Sequence, residues 1–549
     1  MRISVAQLNY KIGDFEKNKN LICHAIRQAK SENADLIVFS ELCIPGYPPL
    51  DLLDRYDFIT RCSRTVDEIA AECKGIAAIV GSPTLNSNSS GKKLYNSALL
   101  LSEGKVIFTE HKSLLPTYDI FDEYRYFEPE RKFSVFGFKG LKLAVTICED
   151  LWDEQPFDNE FEKSRLYTIS PGDELSKHKP DVLINISASP FSYSKIESKE
   201  NIFRSKAIKY RLPVIMVNQV GANTELIFEG ASHIFNSRGE IVDRLPFFEE
   251  CIRTYDLQKI ISVEPLQQKV PHTVQLMHDA LVTGVRDYFG KTGFRKAILG
   301  LSGGIDSALV LCIGAEALGK ENMHTLLMPS RYSSDHSVND AVKLADNLGV
   351  GYDIISIEKP FTAFESVLGP VFRDLPADVT EENIQARTRA VLLMAYSNKF
   401  GHILLNTSNK SEAAVGYGTL YGDMAGGLSV IGDVYKTDIY RIAQYINRTS
   451  EIIPWNIITK LPSAELHPNQ LDSDSLPLYD TLDKILYKYI ELQKNAEAII
   501  DEGADSATVH RVIRMINMNE YKRYQAPPVL RISSKAFGAG RRMPLVAKY

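Results

Sequence analysis

The segment Gly300–Val310, with the sequence GLSGGIDSALV, places glycines, hydroxyl side chains and one acid directly after an apolar run. Gly303 and Gly304 can adopt positive φ, which would let an anion approach the backbone closely. A helix that begins near Asp306 would point its first N–H groups at that anion. Because Asp306 would repel a phosphate group unless a cation lay between them, the segment predicts Mg²⁺ bound beside a phosphate.

This phosphate loop differs from two common nucleotide motifs, since the Walker pattern needs Gly-Lys-Ser/Thr and the dinucleotide pattern needs G-x-G-x-x-G. It resembles the SGGxDS loop of the ATP pyrophosphatases, which split ATP between the α- and β-phosphates. A glycine-rich connection without a ligand is the alternative, but strand, glycines, acid and hydroxyls follow the order that phosphate binding needs. The resemblance implies that ATP is a co-substrate held by Gly300, Leu301, Ser302, Gly303, Gly304, Ile305, Asp306 and Ser307.

Three segments of the first half each place one reactive side chain after an apolar run, namely Glu41, Lys112 and Cys148. A thiol nucleophile needs a base for its proton, and a nearby carboxylate can serve. A lysine ammonium can hold that carboxylate and stabilise the oxyanion of a tetrahedral adduct. Taken singly, a packed cysteine, a surface lysine and a loop acid are the more ordinary interpretations. Together they predict nucleophilic catalysis, with Cys148 at a sharp elbow after a strand.

In this order and with these flanks, the trio resembles the nitrilase superfamily, whose fold is an α-β-β-α sandwich. The resemblance covers nearly the whole first half and implies that the three residues are catalytic. The glutamine-hydrolysing branch of that superfamily resembles this chain most. Tyr118, in LPTYDIFDE, matches a tyrosine that contacts glutamine, and Ser189 and Lys195, in SASPFSYSK, match residues that hold the amino-acid end of the substrate.

Length and composition bound the class of protein. The chain has 549 residues, too many for one core, with 44% apolar and 24% charged residues as in ordinary soluble proteins. The formal charge of −6 argues against a nucleic-acid partner. We expect no membrane partner and a cytoplasmic location, since no apolar run approaches roughly 18 residues and the N-terminus lacks an apolar signal core. Seven cysteines without C-x-x-C spacing predict reduced thiols.

Periodicity predicts an α/β protein of two domains. Residues 1–265 would form the domain that resembles the nitrilase superfamily, residues 266–271 a polar linker between prolines, and residues 272–549 the domain that resembles the ATP pyrophosphatases. The first domain is expected to contain a helix at 18–29, a hairpin at 234–244, and strands at 3–9, 36–39, 77–81, 96–101, 143–147, 182–186 and 214–218.

The second domain alternates strands and helices, which predicts a Rossmann-like parallel sheet with helices on both faces. Strands are expected at 297–301, 324–328, 353–357 and 402–406, and helices at 307–318, 336–348 and 381–399. Ligands would bind at the carboxyl ends of these strands, where Ser302 lies. The basic tail from Tyr521 is predicted to be either a loop that closes over an anionic substrate or a solvated end.

A glutaminase joined to an ATP pyrophosphatase suggests an amidotransferase. Further segments indicate which carboxylate accepts the ammonia. Residues 381–393, 404–440, 461–483 and 520–544 resemble the glutamine-dependent NAD⁺ synthetase family, and the resemblance spans essentially the whole chain. It implies that glutamine is hydrolysed to ammonia while ATP adenylates nicotinic acid adenine dinucleotide (deamido-NAD⁺). Ammonia then converts the adenylate to NAD⁺, with release of AMP and pyrophosphate.

The same resemblance implies residues for each ligand of the synthetase domain. Arg387 and Thr407 would join the phosphate loop in binding ATP. Asp306 and Glu412 would hold Mg²⁺. These are oxygen ligands, as that ion prefers.

Deamido-NAD⁺ would contact Asn383, Glu412 and Lys522. Asp423 and Lys436 match the family's mobile loop region, and Lys436 is a candidate for stabilising charge on the transferring phosphates. The ordinary alternatives are an aspartate that caps a turn and a solvated lysine at a helix start. The family's synthetase domains pair, so a homo-oligomer is also expected.

Two rival functions remain at this point. One is an amidotransferase of the same architecture with another carboxylate acceptor, which the segments at 381–393 and 461–483 argue against. The other is a non-catalytic nucleotide-binding or scaffold protein, which the intact Glu41, Lys112, Cys148, Asp306 and Glu412 argue against.

Overall fold

The computed structural model describes residues 1–154, 165–260, 270–373 and 375–547. The chain divides into two compact units, Met1–Val270 and Pro271–Tyr549. Most of the stretch interpreted as a linker, residues 266–269, lies outside the described residues. None of the helices in the described ranges has the length and apolarity that crossing a bilayer requires.

The first unit contains two six-stranded sheets, a two-stranded ribbon and helices on the outside. Its strands are β1 (Arg2–Gln7), β2 (Leu36–Val38), β3 (Ala77–Leu85), β4 (Leu94–Ser102), β5 (Lys105–His111), β6 (Phe136–Phe138), β7 (Leu141–Ile147), β8 (Val182–Ser187), β9 (Val214–Asn218), β10 (Val220–Asn223), β11 (Leu226–Glu229), β12 (His233–Phe235), β13 (Ile241–Arg244) and β14 (Cys251–Asp256). Its helices are α1 (Phe15–Ser31), α2 (Tyr56–Glu72), α3 (Pro171–Ser176), α4 (Ile196–Tyr210) and α5 (Leu257–Ile260).

The sheets of the first unit have the orders β14-β1-β2-β3-β4-β5 and β13-β12-β9-β8-β7-β6. Alternate side chains of both sheets meet in one apolar layer that includes Val5 and Ile184. On the outer faces, Ile26 of α1 packs against the first sheet and Phe203 of α4 against the second. Because each sheet is thus buried on both faces, the unit is an α-β-β-α sandwich, and this predicted fold class is confirmed.

The second unit contains a five-stranded sheet of β15 (Lys296–Gly300), β16 (Met323–Leu327), β17 (Gly351–Ile354), β18 (His402–Asn406) and β19 (Leu428–Ser429). Its helices are α6 (Thr273–Thr292), α7 (Ile305–Leu318), α8 (Asp335–Leu348), α9 (Glu358–Phe372), α10 (Val379–Phe400), α11 (Lys410–Val415), α12 (Lys436–Ile446), α13 (Trp455–Thr459), α14 (Tyr479–Leu486), α15 (Ala496–Asp501), α16 (Ser506–Met518) and α17 (Glu520–Arg523).

The order of the strands indicates where a ligand would bind in the second unit. The order is β17-β16-β15-β18-β19, and all neighbouring strands are parallel, as predicted. The chain runs outward from β15 in one direction and then returns to start again at β18. Ligands of such sheets bind beside the carboxyl ends where the order reverses. The loops that follow β15 and β18 at this point carry Ser302 and Thr407.

The expectation that the C-terminal tail is a solvated end is wrong for residues 529–533, which are packed in the core, and its role as a loop over an anionic substrate stays a prediction. Leu530, Ile532 and Ser533 are fully buried, and Arg523 is nearly so. The Asp433 carboxylate accepts hydrogen bonds from the backbone N–H groups of Ile532 and Ser533, at 2.8 and 2.7 Å. Burial of apolar groups and satisfaction of the backbone therefore hold this segment in the unit.

Two candidate active sites

A buried ion pair forms the centre of the first site. Glu41 follows β2, Lys112 follows β5, and both side chains are fully buried. Lys112 Nζ and Asn96 Nδ2 each donate to Glu41 Oε1 at 2.7 Å. Glu41 Oε2 accepts from the N–H of Ala188 at 3.0 Å. Because both of its oxygens are held by charged or polar donors, the carboxylate has one fixed orientation.

Glu123 adds a second buried carboxylate that sequence reasoning did not single out. Lys112 Nζ lies 2.9 and 2.7 Å from its two oxygens, and the hydroxyl of Tyr47 donates to Oε1 at 3.1 Å. Burial raises the pKa of Glu123, and the Lys112 ammonium opposes that rise. The segment around it contains several acids, so only its contact with Lys112 distinguishes Glu123.

Cys148 begins a 3₁₀ turn, Cys148–Leu151, directly after β7. Its φ of +45° lies in the left-handed region, which is strained for a residue with a Cβ atom and recurs at functional sites. The predicted elbow is therefore confirmed, although the residue is also buried. Burial and the Glu41 carboxylate raise the pKa of the Cys148 thiol well above its usual value, and the Lys112 charge opposes this. The resting thiol thus carries its proton, and attack requires a base.

Polar residues surround Glu149, which follows the thiol in sequence. Its Oε1 accepts from the hydroxyls of Tyr118 and Tyr167, both at 2.8 Å. Burial raises the pKa of Glu149, and these hydrogen bonds and the charge of exposed Lys195 lower it. Ser189 directly follows Ala188, whose N–H donates to Glu41. The N–H of Ser189 itself donates to the side chain of Asn218 at 2.9 Å. The structure therefore brings Tyr118 to the Glu149 carboxylate, on which the charge of Lys195 also acts.

In the second unit, the phosphate loop is held by its own hydroxyls. Ser302 Oγ accepts from the N–H of Gly304 at 3.2 Å and lies 3.1 Å from Ser307 Oγ. Gly303 has a φ of +78°, and a Cβ atom there would lie 2.2 Å from the Ser337 carbonyl oxygen, so only glycine fits. The expectation of positive φ at Gly304 is wrong. It has a φ of −86° and caps the start of α7 in extended conformation.

Asp306 and Glu412 converge on one buried ammonium. Lys436 Nζ lies 2.6 Å from Asp306 Oδ2 and 3.1 Å from Glu412 Oε1. Asn409 links the two acids, because its side chain donates to Asp306 at 2.9 Å and accepts from the Glu412 N–H at 2.9 Å. Burial lowers the pKa of Lys436, but the charges of Asp306 and Glu412 outweigh it and raise that pKa overall.

The structure corrects the expectation for Lys436. The residue is neither in a mobile loop nor a solvated helix start, since it is buried in the first turn of α12. A buried ammonium needs compensating charge, and the two carboxylates supply it.

These carboxylates also fit the implied Mg²⁺ in chemistry and exposure. Both are partly exposed and line the same cavity, and burial together with the Asp306 charge raises the pKa of Glu412, as expected for acids that need a nearby cation. Within the described ranges, no three His, Cys, Asp or Glu side chains cluster closely enough to hold a metal. Two carboxylates alone suit Mg²⁺, which usually takes its other ligands from phosphates and water.

A cavity of about 320 Å³ lies beside the phosphate loop and is lined by Thr407, Glu412 and Lys436. That volume is in the range of small-molecule sites. Two further basic residues line it, Arg389 and Lys460. Burial lowers the pKa of Arg389 to about 10 and also lowers the pKa of Lys460. The sequence analysis singled out Arg387 of α10 but not Arg389, two residues further on, and it did not single out Lys460, which follows α13.

Three predicted ligand residues contact the 416–423 loop and are not among the residues that line this cavity. Arg387 Nε donates to a carbonyl of the loop at 3.1 Å, and Asn383 Oδ1 accepts from a threonine hydroxyl of it at 2.7 Å. Lys522 Nζ donates to two of its carbonyls at 2.7 and 2.8 Å. Asp423 does line the cavity, and it also accepts a loop N–H at 2.6 Å, which is the turn-capping arrangement.

Comparison with known proteins defines the class of this chain. Residues 2–264 match the family model for carbon-nitrogen hydrolases, and residues 277–526 match the model for NAD synthase. The chain therefore joins a nitrilase-type hydrolase unit, with a buried Glu-Lys-Cys arrangement, to an NAD synthase unit with a phosphate loop.

Relatives that match over the full length define the family. The chain is 44% identical to the glutamine-dependent NAD⁺ synthetase of Synechocystis sp., over 100% of this chain and 99% of that protein. It is 40% identical to that of Thermotoga maritima, over 100% and 99%. A solved glutamine-dependent NAD⁺ synthetase from Acinetobacter baumannii, in complex with ADP, is 38% identical with a TM-score of 0.78 over 99% and 98% of the two chains. The chain belongs to the glutamine-dependent NAD⁺ synthetase family, as predicted.

Proposed function

We propose that this chain makes NAD⁺ from deamido-NAD⁺, ATP and glutamine, with glutamine hydrolysis in the first unit and adenylation in the second. One observation carries the proposal. A single chain holds both a buried Glu41–Lys112 pair, whose charges affect the pKa of the Cys148 thiol, and a phosphate loop with the carboxylates of Asp306 and Glu412 beside it. The first arrangement suits amide cleavage, and the second suits activation of a carboxylate by ATP.

In the first unit, Glu41 takes the proton of Cys148 as the sulfur attacks the carboxamide carbon of glutamine. The C–O π electrons move to oxygen, and Lys112 stabilises that oxyanion. The adduct collapses with transfer of the proton from Glu41 to the leaving nitrogen, which gives ammonia and a thioester. Water, deprotonated by Glu41, then attacks the thioester and releases glutamate, and the thiol regains its proton. Glu123 holds Lys112 in place throughout.

Charges near the thiol suit an amino-acid substrate. Glu149 supplies a negative charge for the α-ammonium group of glutamine, and Lys195 supplies a positive charge for its α-carboxylate. Tyr118, which donates to Glu149, and Ser189 would complete this end of the site.

In the second unit, an oxygen of the nicotinate carboxylate attacks the α-phosphate of ATP, and the bond to pyrophosphate breaks. Ammonia then attacks the acyl-adenylate, and AMP leaves with its bonding electrons. The N–H groups at the start of α7 and the Lys436 ammonium would bind phosphate oxygens, and the support is that α7 begins beside the cavity that Lys436 lines. Asp306 and Glu412 would hold Mg²⁺, which when bound neutralises charge on the phosphates.

Residues around the 416–423 loop are proposed to contact the substrates. Asn383, Glu412 and Lys522 would bind deamido-NAD⁺, and Arg387 with Thr407 would bind ATP. Their support is the resemblance of their segments to the family. In addition, Arg387, Asn383 and Lys522 contact this loop, and Thr407 and Glu412 line the cavity. A homo-oligomer is proposed on the same resemblance.

Product analysis tests the proposed function. The protein is incubated with ATP, Mg²⁺ and glutamine, and separately with deamido-NAD⁺, its mononucleotide or free nicotinate as the acceptor acid. Pyrophosphate release and the amidated product are measured together, the latter by mass spectrometry. We expect both only with deamido-NAD⁺. Amidation of another acid would favour the rival amidotransferase, and absence of both with every acceptor would reject a ligase.

A further inference from the structure

Asp150 connects the two catalytic loops of the first unit through one buried carboxylate. Its Oδ1 accepts from the N–H groups of Ser113 and Leu114, both at 2.9 Å. Its Oδ2 accepts from the N–H of Ile147 at 3.0 Å. Ser113 follows Lys112 directly and Ile147 directly precedes the thiol, so the carboxylate bonds to the backbone on both sides of the site.

The bond to Ile147 has a particular consequence for the thiol. It closes the short turn Cys148–Leu151 onto the end of β7, across the residue with the left-handed φ. A strained conformation persists only where neighbouring groups enforce it. Asn185 adds a longer contact, with Nδ2 3.3 Å from the Cys148 carbonyl oxygen. Asp150 is thus the charged group that holds the strained elbow, and it holds the lysine loop at the same time.

We infer that Asp150 is a positioning residue that sets the Lys112 ammonium and the Cys148 thiol against each other for glutamine hydrolysis. The inference rests on the proposed glutaminase function. Asp150 reaches substrate through neither oxygen, since all three bonds go to backbone N–H groups. Its effect is therefore on the rate of attack, which depends on near-attack geometry, rather than on glutamine affinity.

The protonation of the surroundings is consistent with this role. Burial raises the pKa of Asp150 to about 6, against the lowering effect of its backbone bonds and of Lys112, so the carboxylate is ionised at neutral pH. The charge of Asp150 acts on the buried Glu110, because burial and that charge raise the pKa of Glu110 to about 9. Of these two acids, only Asp150 is therefore charged at neutral pH, and Asp150 is the acid that accepts the three backbone N–H bonds.

Two variants test the inference in the full chain. Asp150→Asn keeps the shape, but its amide NH₂ cannot accept, so one of the two loops loses its acceptor. Asp150→Glu keeps the charge but adds a methylene that shifts both contacts. Asp153→Asn is the matched control, because Asp153 is equally buried near the elbow but pairs with Lys206 at 2.7 Å, and Lys206 keeps Glu154 as a second partner.

The measurements are glutaminase kcat and KM, ammonium-dependent NAD⁺ synthesis, thermal midpoint, and iodoacetamide alkylation of the Cys148 peptide by mass spectrometry. We expect both Asp150 variants to lose about tenfold to a hundredfold in glutaminase kcat, with unchanged KM and slower alkylation. Ammonium-dependent synthesis should stay at the wild-type level. Asp153→Asn should keep wild-type kcat even if its midpoint falls.

Several outcomes would overturn the inference. They are a wild-type kcat in either folded variant, a rise in KM in place of the fall in kcat, or a kcat that simply follows thermal midpoint across all three variants. If Asp150→Asn does not fold, Asp150→Glu decides alone. A wild-type protein that hydrolyses no glutamine would instead reject the proposed function and is distinguished by that control.

Discussion

The two sites handle charge in opposite ways. In the first, Glu41, Lys112 and Glu123 are buried, and every charge is bonded to another protein group. In the second, Asp306 and Glu412 are partly exposed, and the Lys436 ammonium is their shared cation beside an open cavity. Each site pairs two carboxylates with one lysine, but the first pair of carboxylates is buried whereas the second is exposed to a cavity in which a ligand can bind.

The difference follows from the chemistry that each site would perform. Covalent attack on an amide needs a nucleophile, a base and an oxyanion donor in fixed geometry, and rigid burial provides it. Adenylation brings a polyphosphate and a metal ion, so the protein must offer charged ligands and space. Substitutions in the first site should therefore impair one activity selectively, whereas those in the second should impair synthesis from any nitrogen source.

The largest expected effect is that of Asp306→Asn. The change keeps the shape but removes the charge that faces Lys436 and the proposed Mg²⁺. Because adenylation precedes use of either nitrogen source, synthesis from glutamine and from ammonium should both fall by about a hundredfold or more. Pyrophosphate and glutamate release are measured side by side with excess Mg²⁺.

Glutaminase activity of that variant should survive in part. The matched control is Asp346→Asn, an exposed acid of α8, which should behave like wild type. Pyrophosphate release near the wild-type level in Asp306→Asn would mean that Asp306 is not a metal ligand.

Glu123→Gln tests whether complete pairing matters in the first site. The substitution removes one of the two charges that hold Lys112, so glutaminase kcat should fall by about tenfold to a hundredfold. Ammonium-dependent synthesis should be unaffected, as should both activities of the exposed control Asp67→Asn. A wild-type kcat in Glu123→Gln would show that Glu41 alone positions the lysine.

Lys195→Ala removes an exposed positive charge that acts on Glu149. Losing a charged contact to substrate costs about 1.5–3 kcal/mol, or about tenfold to a hundredfold in kcat/KM for glutamine. Lys177→Ala, which removes another exposed lysine of the same unit, serves as the control. If KM for glutamine is the same in Lys195→Ala and wild type, the proposed contact with the α-carboxylate is wrong.

The smallest effect concerns stability and pH. Burial raises the pKa of Glu110 to about 9 from an ordinary value near 4.5. The neutral carboxyl therefore contributes fully to stability at pH values below the ordinary pKa, and this contribution is lost as the pH rises through the raised pKa. Glu110→Gln cannot ionise and should remove that loss. We expect the thermal midpoint of wild type to fall relative to Glu110→Gln between pH 5 and pH 9. Parallel midpoints over that range would contradict a buried neutral Glu110.

Local patterns were sufficient for much of the fold. The strand predicted at 214–218 is β9 with the same bounds, and the predicted hairpin at 234–244 is the antiparallel pair of β12 and β13. Helices predicted at 307–318 and 336–348 start within two residues of α7 and α8. No prediction was made for the ribbon of β10 and β11 or for the two-residue β19, which are too short to show a clear periodicity. The helices α2, α14 and α16 were also missed, although their buried apolar residues recur at helical spacing.

The residues of the candidate sites also differ in whether a local sequence pattern identifies them. Glu41, Lys112 and Cys148 stand at strand ends in recognisable segments, and the phosphate loop has a strong local motif. Glu123, Asp150 and Asn409 have no such signal, because acids and amides are common in loops and only tertiary distances identify them. The burial of Lys436 could not be predicted from the sequence either, because the two acids that pair with it lie 130 and 24 residues away in the chain.

The most direct test of two sites with separate tasks is NAD⁺ formation by Cys148→Ala with each nitrogen source. Deamido-NAD⁺, ATP and Mg²⁺ are held constant, and either glutamine or an ammonium salt is added to the variant and to wild type. The account predicts no glutamine-dependent NAD⁺ above background in the variant and an ammonium-dependent rate equal to wild type. Equal loss of both rates, or a surviving glutamine-dependent rate, would contradict it.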